Sequence, residues 1–242
     1  MLNPISELII FFGDCGSGKS SLIALFADIY VKEQGTQRWE LSEQIIRELN
    51  VNRKQPLSFP SAPPIYSTSK YKLKDKYGHN VKIIGIKSNE IGISNKKEKY
   101  KALYPASLLI IDEAYSEFCS KGELTKGQRN FFLEYRHNRL IILIASPRAI
   151  LINKDIRNAG ARFIEVCGQT HEYDPFGRIC KTTWHCREST SKDEVEEYIK
   201  TDGQSGTFTE TTYEYNGNIF DLYNSFAYVT DFMPQEGEDF ET

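Results

Sequence analysis

Residues Gly13 to Ser20 read GDCGSGKS and meet every fixed position of the pattern G-x-x-x-x-G-K-[ST]. Glycines at this spacing let a backbone wrap around an anion. The residues expected to hold a nucleotide's phosphates are therefore Gly13, Asp14, Cys15, Gly16, Ser17, Gly18, Lys19, Ser20 and Ser21, backed by the positive end of the helix that follows. Lys19 is expected to reach the β- and γ-phosphates, and Ser20 to offer its hydroxyl to Mg2+. Further along, the apolar run LLII ends in Asp112 and Glu113. Two adjacent carboxylates leaving a strand point in different directions. Asp112 can thus serve a metal while Glu113 orients an attacking water. This set implies hydrolysis of a nucleoside triphosphate, with ATP and Mg2+ as the expected pair. Two alternatives stay open. A kinase would need its acceptor where the water sits, and a nucleotide-gated scaffold would have little use for Glu113.

The elements that must position these groups can be read from the hydrophobic pattern. Short apolar runs recur at 8–12, 81–86, 108–111 and 140–145 with little polar alternation. Strands apolar on both faces belong to a parallel sheet covered by helices on each side. Residues 20–34 carry apolar side chains at helical spacing, so strand, glycine-rich turn and helix follow in order. A second helix is expected over 41–49, opened by Ser42, and a short strand over 65–68. Pro56, Pro60, Pro63 and Pro64 make 52–64 an extended connection. Beyond residue 170 the chain turns Thr-rich, aromatic and alternating, at 180–187 and 207–215, around a helix-like 192–200. The expected architecture is a three-layer α/β P-loop NTPase with a mostly parallel central sheet and a small C-terminal α+β extension. The boundaries are set at 1–168, 169–230 and an acidic tail at 231–242.

Other residues extend the candidate site. Ser146 ends the apolar run at 140–145 and could sense the γ-phosphate or the water. Arg129, Arg136, Arg139, Arg148, Arg157 and Arg162 crowd the same half of the chain, and one of them could reach a neighbouring subunit's phosphates in a homo-oligomer. Between residues 70 and 101, ten lysines face three acidic residues, with Tyr71, Tyr77 and Tyr100 interleaved. This is a composition suited to the phosphates and bases of DNA. Cys167, His171, Cys180, His185 and Cys186 lack the paired Cys-x2-Cys knuckle, so buried free thiols are expected there rather than zinc.

Whole-chain properties bound these readings. A net charge of −3 gives no global attraction to nucleic acid or anionic membrane, so any such partner must meet a local patch. The apolar runs fall far short of the ~20 residues of a membrane-spanning helix. Five cysteines in no regular framework, with no leader-like N-terminus, fit reduced thiols and a cytoplasmic setting, which is the host cytoplasm for a viral protein.

The order GDCGSGKSSL, then SLLIIDEAYSEF at 107–118, then EYRHNRLIILIASPRAILINKDIRN at 134–158 resembles the N-terminal ATPase domain of zonular occludens toxin-like proteins. These are the assembly ATPases of filamentous phages, within the FtsK–HerA group of DNA motors. IFDLYNSFA at 219–227 is a weaker echo of the tyrosine–serine motif that often closes that domain. The resemblance implies nucleotide and metal binding at Lys19 and Ser20, metal and water at Asp112 and Glu113, and phage or viral assembly proteins as partners. It departs at Ser146-Pro147, where the family usually has Thr-Gln or Ser-Gln, and in carrying no transmembrane segment. A DNA-packaging or assembly motor without its own membrane anchor is the version it supports.

Overall fold

The computed structural model describes residues 6–51, 54, 56, 64–87, 90–92 and 103–223. Strand β1 (Glu7–Phe12) runs into the glycine-rich loop and helix α1 (Lys19–Ile29). One π-helical turn, Tyr30–Gln34, joins α1 to α2 (Gly35–Asn50). The chain then adds β2 (Ile65–Ser67), β3 (Ile83–Gly85), β4 (Leu108–Ile111), α3 (Lys126–Glu134) and β5 (Ile141–Ser146). Next come α4 (Lys154–Arg157), β6 (Arg162–Tyr173), β7 (Ile179–Ser189), α5 (Lys192–Lys200) and β8 (Thr209–Asn216).

All eight strands form one sheet in the order β3-β2-β4-β5-β1-β6-β7-β8. The first six in that order are parallel, and β7 and β8 add antiparallel pairs at one side. Alternate residues of β1 feed two cores. Ile9 and Phe11 pack with Leu22, Ile23 and Phe26 of α1, while Leu8, Ile10 and Phe12 face Phe132 of α3, Ile156 of α4 and Val195 of α5. The sheet is thus sandwiched as its two-sided apolar strands require. Truncating a buried core aromatic such as Phe11 to Ala is worth about 3–5 kcal/mol of stability.

Three sequence expectations change. The second helix begins at Gly35 rather than near Ser42, because the π turn carries the chain onward without a break; Ser42 is a buried mid-helix residue and not a cap. The division at residue 168 falls inside β6, which pairs with β1 from Arg162 to Glu165 and with β7 from Phe163 to Tyr173. The C-terminal strands therefore continue the central sheet. Of the cysteines, Cys186 is buried, but Cys15, Cys167 and Cys180 are exposed. Cys167 lies at the irregularity between Val166 and Gly168, where the pairing of β6 slips and its side chain leaves the core. The acidic residues 231–242, the lysines at 96, 97, 99 and 101, Tyr100 and residues 224–227 lie outside the described residues.

Candidate phosphate and metal site

The glycine-rich loop leaves the C-terminal end of β1, in mid-sheet, and is tied to β5 by the Gly13 amide, which donates to the Pro147 carbonyl at 3.2 Å. Two of its glycines are required by close approach. Gly13 has φ 146°, and a Cβ there would lie 2.3 Å from the Val166 carbonyl oxygen of β6. Gly18, at φ 98°, opens α1 in a left-handed conformation, and its Cβ would lie 2.5 Å from Gln169 Oε1. Among the described residues, the amides of Gly16, Gly18, Lys19 and Ser20 donate to no backbone carbonyl. Free amides at a helix N-terminus form a cradle for phosphate oxygens.

The loop is stapled from behind by the antiparallel strands. Ser21 Oγ lies 2.9 Å from the Gly18 carbonyl and 3.0 Å from Gln169 Oε1, and either can accept its proton. Trp184 Nε1 donates to the same hydroxyl at 3.2 Å, and the indole is fully buried. The last part of β6 and the middle of β7 thereby hold the first turn of α1.

Lys19 donates to the loop's own carbonyls of Gly13 and Asp14 at 2.8 and 2.7 Å. Burial holds its pKa below the ordinary lysine value, opposed by the nearby Cys15, Glu113, Asp112 and Asp14. Its ammonium thus stands between the loop and the acidic pair.

The acids arrive from β4. In the sheet order β5 separates β4 from β1, so the loop and the acids flank one intervening strand. Ser20 Oγ donates to Asp112 Oδ1 at 3.2 Å. Asp112 is 5 % exposed, and its Oδ2 is buried with no hydrogen-bond partner among the described residues. Burial pushes its carboxyl up to about 6; Glu113 adds to the rise, while the Ser20 hydroxyl, the Glu113 amide and Lys19 oppose it. An orphaned carboxylate oxygen beside a serine hydroxyl is the donor set a hard divalent cation such as Mg2+ takes. These residues fit that ion.

Glu113 follows with φ 56°, a left-handed backbone that a residue with a Cβ holds at a cost of about 1–3 kcal/mol. The turn is pinned by the Ala114 amide on the Ala145 carbonyl at 3.0 Å and by the Ser116 amide on the Glu113 carbonyl at 3.1 Å. The Glu113 side chain is exposed, and its carboxylate beside Tyr115 pushes that phenol's pKa up. The acidic turn therefore presents Glu113 toward open space beside Lys19.

Ser146 ends β5 opposite Phe12, but its hydroxyl is buried and donates to the Arg148 carbonyl at 2.9 Å. That bond closes the turn at Pro147, so the hydroxyl is not presented to the cradle. Arg129, Arg157 and Arg162 pair within the chain with Asp155, Glu196 and Glu188. Arg136 and Arg139 lie before β5, at the end of the sheet away from the loop, whereas exposed Arg148 follows β5 at the loop end.

Four residues at this site carry no motif. Thr68, just past β2, accepts the Asp112 amide at 2.9 Å and fixes the backbone of that carboxylate. Gln169 and Trp184 brace the loop as described. Tyr223 is buried near the site, and burial pushes its phenol pKa up, with Asp112 and Glu113 adding to the rise and Ser20 opposing it. The aromatic-rich alternation of β7 and the echo at 219–227 are the available signals, but neither says what its residues touch.

Sheet order, loop and acidic turn together define a P-loop NTPase fold. No protein-family model and no curated protein matches the chain. Among solved structures it is similar to the N-terminal domain of zonular occludens toxin from Neisseria meningitidis. The match has 14 % identity, covers 91 % of this chain and 100 % of that one, and has a TM-score of 0.51. The resemblance read from the sequence therefore holds at the level of fold. Lower-scoring likenesses include the genome packaging NTPase B204 from Sulfolobus turreted icosahedral virus 2, in complex with ATP-gammaS. It is 16 % identical over 90 % of this chain and 94 % of that one, with a TM-score of 0.42. The Legionella pneumophila ATPase DotB is 12 % identical over 85 % of this chain and 55 % of that one, with a TM-score of 0.36.

Proposed function

We propose that this protein is an ATPase that hydrolyses ATP with Mg2+ and couples turnover to moving DNA or DNA–protein during phage- or virus-like assembly, working as a homo-oligomer. The observation that carries the ATPase reading is the meeting of Ser20 with Asp112 at 3.2 Å, with Asp112 Oδ2 left without a hydrogen-bond partner among the described residues and Glu113 next to it. In this reading the amides of Gly16 to Ser20 bind the phosphates, and Lys19 moves from the Gly13 and Asp14 carbonyls onto phosphate oxygens. Ser20 and Asp112 hold the cation, which when bound neutralises charge on the β- and γ-phosphates. Glu113, open to solvent, orients the attacking water.

The cargo reading is supported by the resemblance to phage assembly ATPases and by a surface feature. Tyr71 and Leu73 are buried, whereas the alternating Lys70, Lys72 and Lys74 are exposed, so three cations share one side of an extended segment. Lys76 lies 5.1 Å from the ring of exposed Tyr77, adding a cation and an aromatic face that a nucleic acid could contact. No helix among the described residues is long and apolar enough to cross a membrane.

The decisive experiment measures phosphate release from Mg·ATP with and without DNA while light scattering follows the oligomeric state. Release that Glu113→Gln abolishes supports the ATPase, and binding without release favours the scaffold alternative. DNA binding whose salt slope falls by about one unit per lysine neutralised among Lys70, Lys72 and Lys74 supports the cargo. Absence of binding at low salt removes DNA.

A further inference from the structure

Strands β2 and β4 pair as far as Ser67 and Ile110, and the Thr68 amide adds one more rung by donating to the Ile110 carbonyl at 3.0 Å. Beyond that point a side chain takes over from the backbone. Thr68 Oγ1 accepts from the Asp112 amide at 2.9 Å and donates to the Asp112 carbonyl at 3.3 Å. A continued parallel ladder would answer these two groups with two backbone groups of the neighbouring strand, and here one hydroxyl answers both. The Asp112 carbonyl belongs to the peptide that leads into Glu113, whose left-handed backbone at φ 56° sets where the second carboxylate points. Thr68 therefore holds the direction of both acids.

The chain that leaves Thr68 reaches the lysines at once. Only Ser69 separates it from Lys70, the first of the exposed cations Lys70, Lys72 and Lys74. Two residue steps of extended chain, about 7 Å, leave little slack between that lysine and the hydroxyl. Further along, the segment is tied down elsewhere. The Lys72 amide donates to the Leu222 carbonyl and the Val81 amide to the Leu73 carbonyl, each at 2.9 Å, and Tyr71 bridges Tyr223. Its link to the acidic turn runs through Thr68. We infer that Thr68 is a positioning residue that couples this segment to the acids, so that DNA lying along the three lysines fixes the segment, aligns Asp112 and Glu113, and speeds hydrolysis. This rests on the readings that the two acids serve an ATPase and that the lysines contact DNA.

The test uses the full chain, Mg·ATP and a saturating single-stranded DNA oligonucleotide, and reads the ratio of phosphate release with DNA to release without it. Coupling between two sites is typically about 5- to 150-fold, and about 10-fold stimulation is expected of the unaltered protein. Thr68→Val keeps the shape of the side chain and removes both bonds to Asp112. It should bring the ratio close to one, while its DNA affinity without nucleotide stays that of the unaltered protein. Thr68→Ser keeps the hydroxyl and should restore the ratio. A purely structural role lowers both rates together, so an unchanged ratio in the valine variant overturns the inference. A serine variant that behaves like the valine one overturns it too, as does an unaltered protein that binds DNA without faster release. Should the valine variant fail to fold, hydrogen exchange on the unaltered protein decides. DNA added with a non-hydrolysable ATP analogue should slow exchange across 108–118, and no change there overturns the coupling. Absence of DNA binding at low salt removes the cargo reading, absence of any phosphate release removes the ATPase reading, and this inference falls with either.

Discussion

Asp112 carries two demands that its replacement by Asn separates. Its carboxylate is buried, and its Oδ2 has no hydrogen-bond partner among the described residues. The rise from 3.8 to about 6 follows chiefly from that burial. A carboxyl whose folded pKa exceeds its unfolded value stabilises the fold fully below about 3.8, and that stability is lost as pH climbs through about 6. At about 1.4 kcal/mol per unit, the ionised form in the nucleotide-free protein costs about 3 kcal/mol at neutral pH. Asn has the same shape, and its oxygen can still accept from Ser20. Its buried NH2 group gives back about 1 kcal/mol or more when left unpaired. The expected net gain for Asp112→Asn at pH 7.5 is therefore about 1–2 kcal/mol, a melting rise of roughly 2–8 °C for a chain of this size. The gain should disappear by pH 4, where the wild-type carboxyl is protonated. With Mg2+ and a non-hydrolysable ATP analogue the order should invert, because only the wild type holds the cation. Thermal melts across pH 4–8, with and without metal and nucleotide, read both effects. A variant that is less stable without metal at pH 7.5, or that gains as much from Mg·nucleotide as the wild type, would refute this account of the site.

Three further outcomes are expected. Glu113→Gln should lower phosphate release about 10²- to 10⁴-fold with Mg·ATP affinity unchanged, as measured by single-turnover kinetics and calorimetry. Gly13→Ala forces a Cβ to 2.3 Å from the Val166 carbonyl oxygen. It should cost about 2–4 kcal/mol in urea denaturation and abolish nucleotide binding. Trp184→Phe removes the donor to Ser21 Oγ at 3.2 Å. It should cost about 1–3 kcal/mol and weaken nucleotide binding without altering the metal requirement, which fluorescent-nucleotide titration with and without Mg2+ would check.

Much of this site was legible before any fold was known, because its parts are local in sequence. The loop needs Gly13, Gly18, Lys19 and Ser20 at fixed spacing, and the conformation of so short a segment is dictated by which residues tolerate positive φ. The run ending in Asp112 and Glu113 announces a buried strand meeting polar surface, and β4 occupies that run. The lysine alternation gave no fold, yet the burial of Tyr71 and Leu73 beneath exposed lysines follows its period of two.

What the sequence could not determine is which segments meet, since contact between distant residues depends on strand order and register, and neither has a local signature. Only the sheet places β5 between the loop strand and the acidic strand, brings Ser20 to Asp112, and runs β6 through the expected domain boundary. Only packing turns the Ser146 hydroxyl into its own turn. It also assigns Thr68 to the Asp112 backbone, Gln169 and Trp184 to the back of the loop, and Tyr223 to Tyr71. Motif residues are marked by the chemistry they perform, whereas supporting residues are marked by the neighbour they touch, and that neighbour is fixed only once the chain has folded.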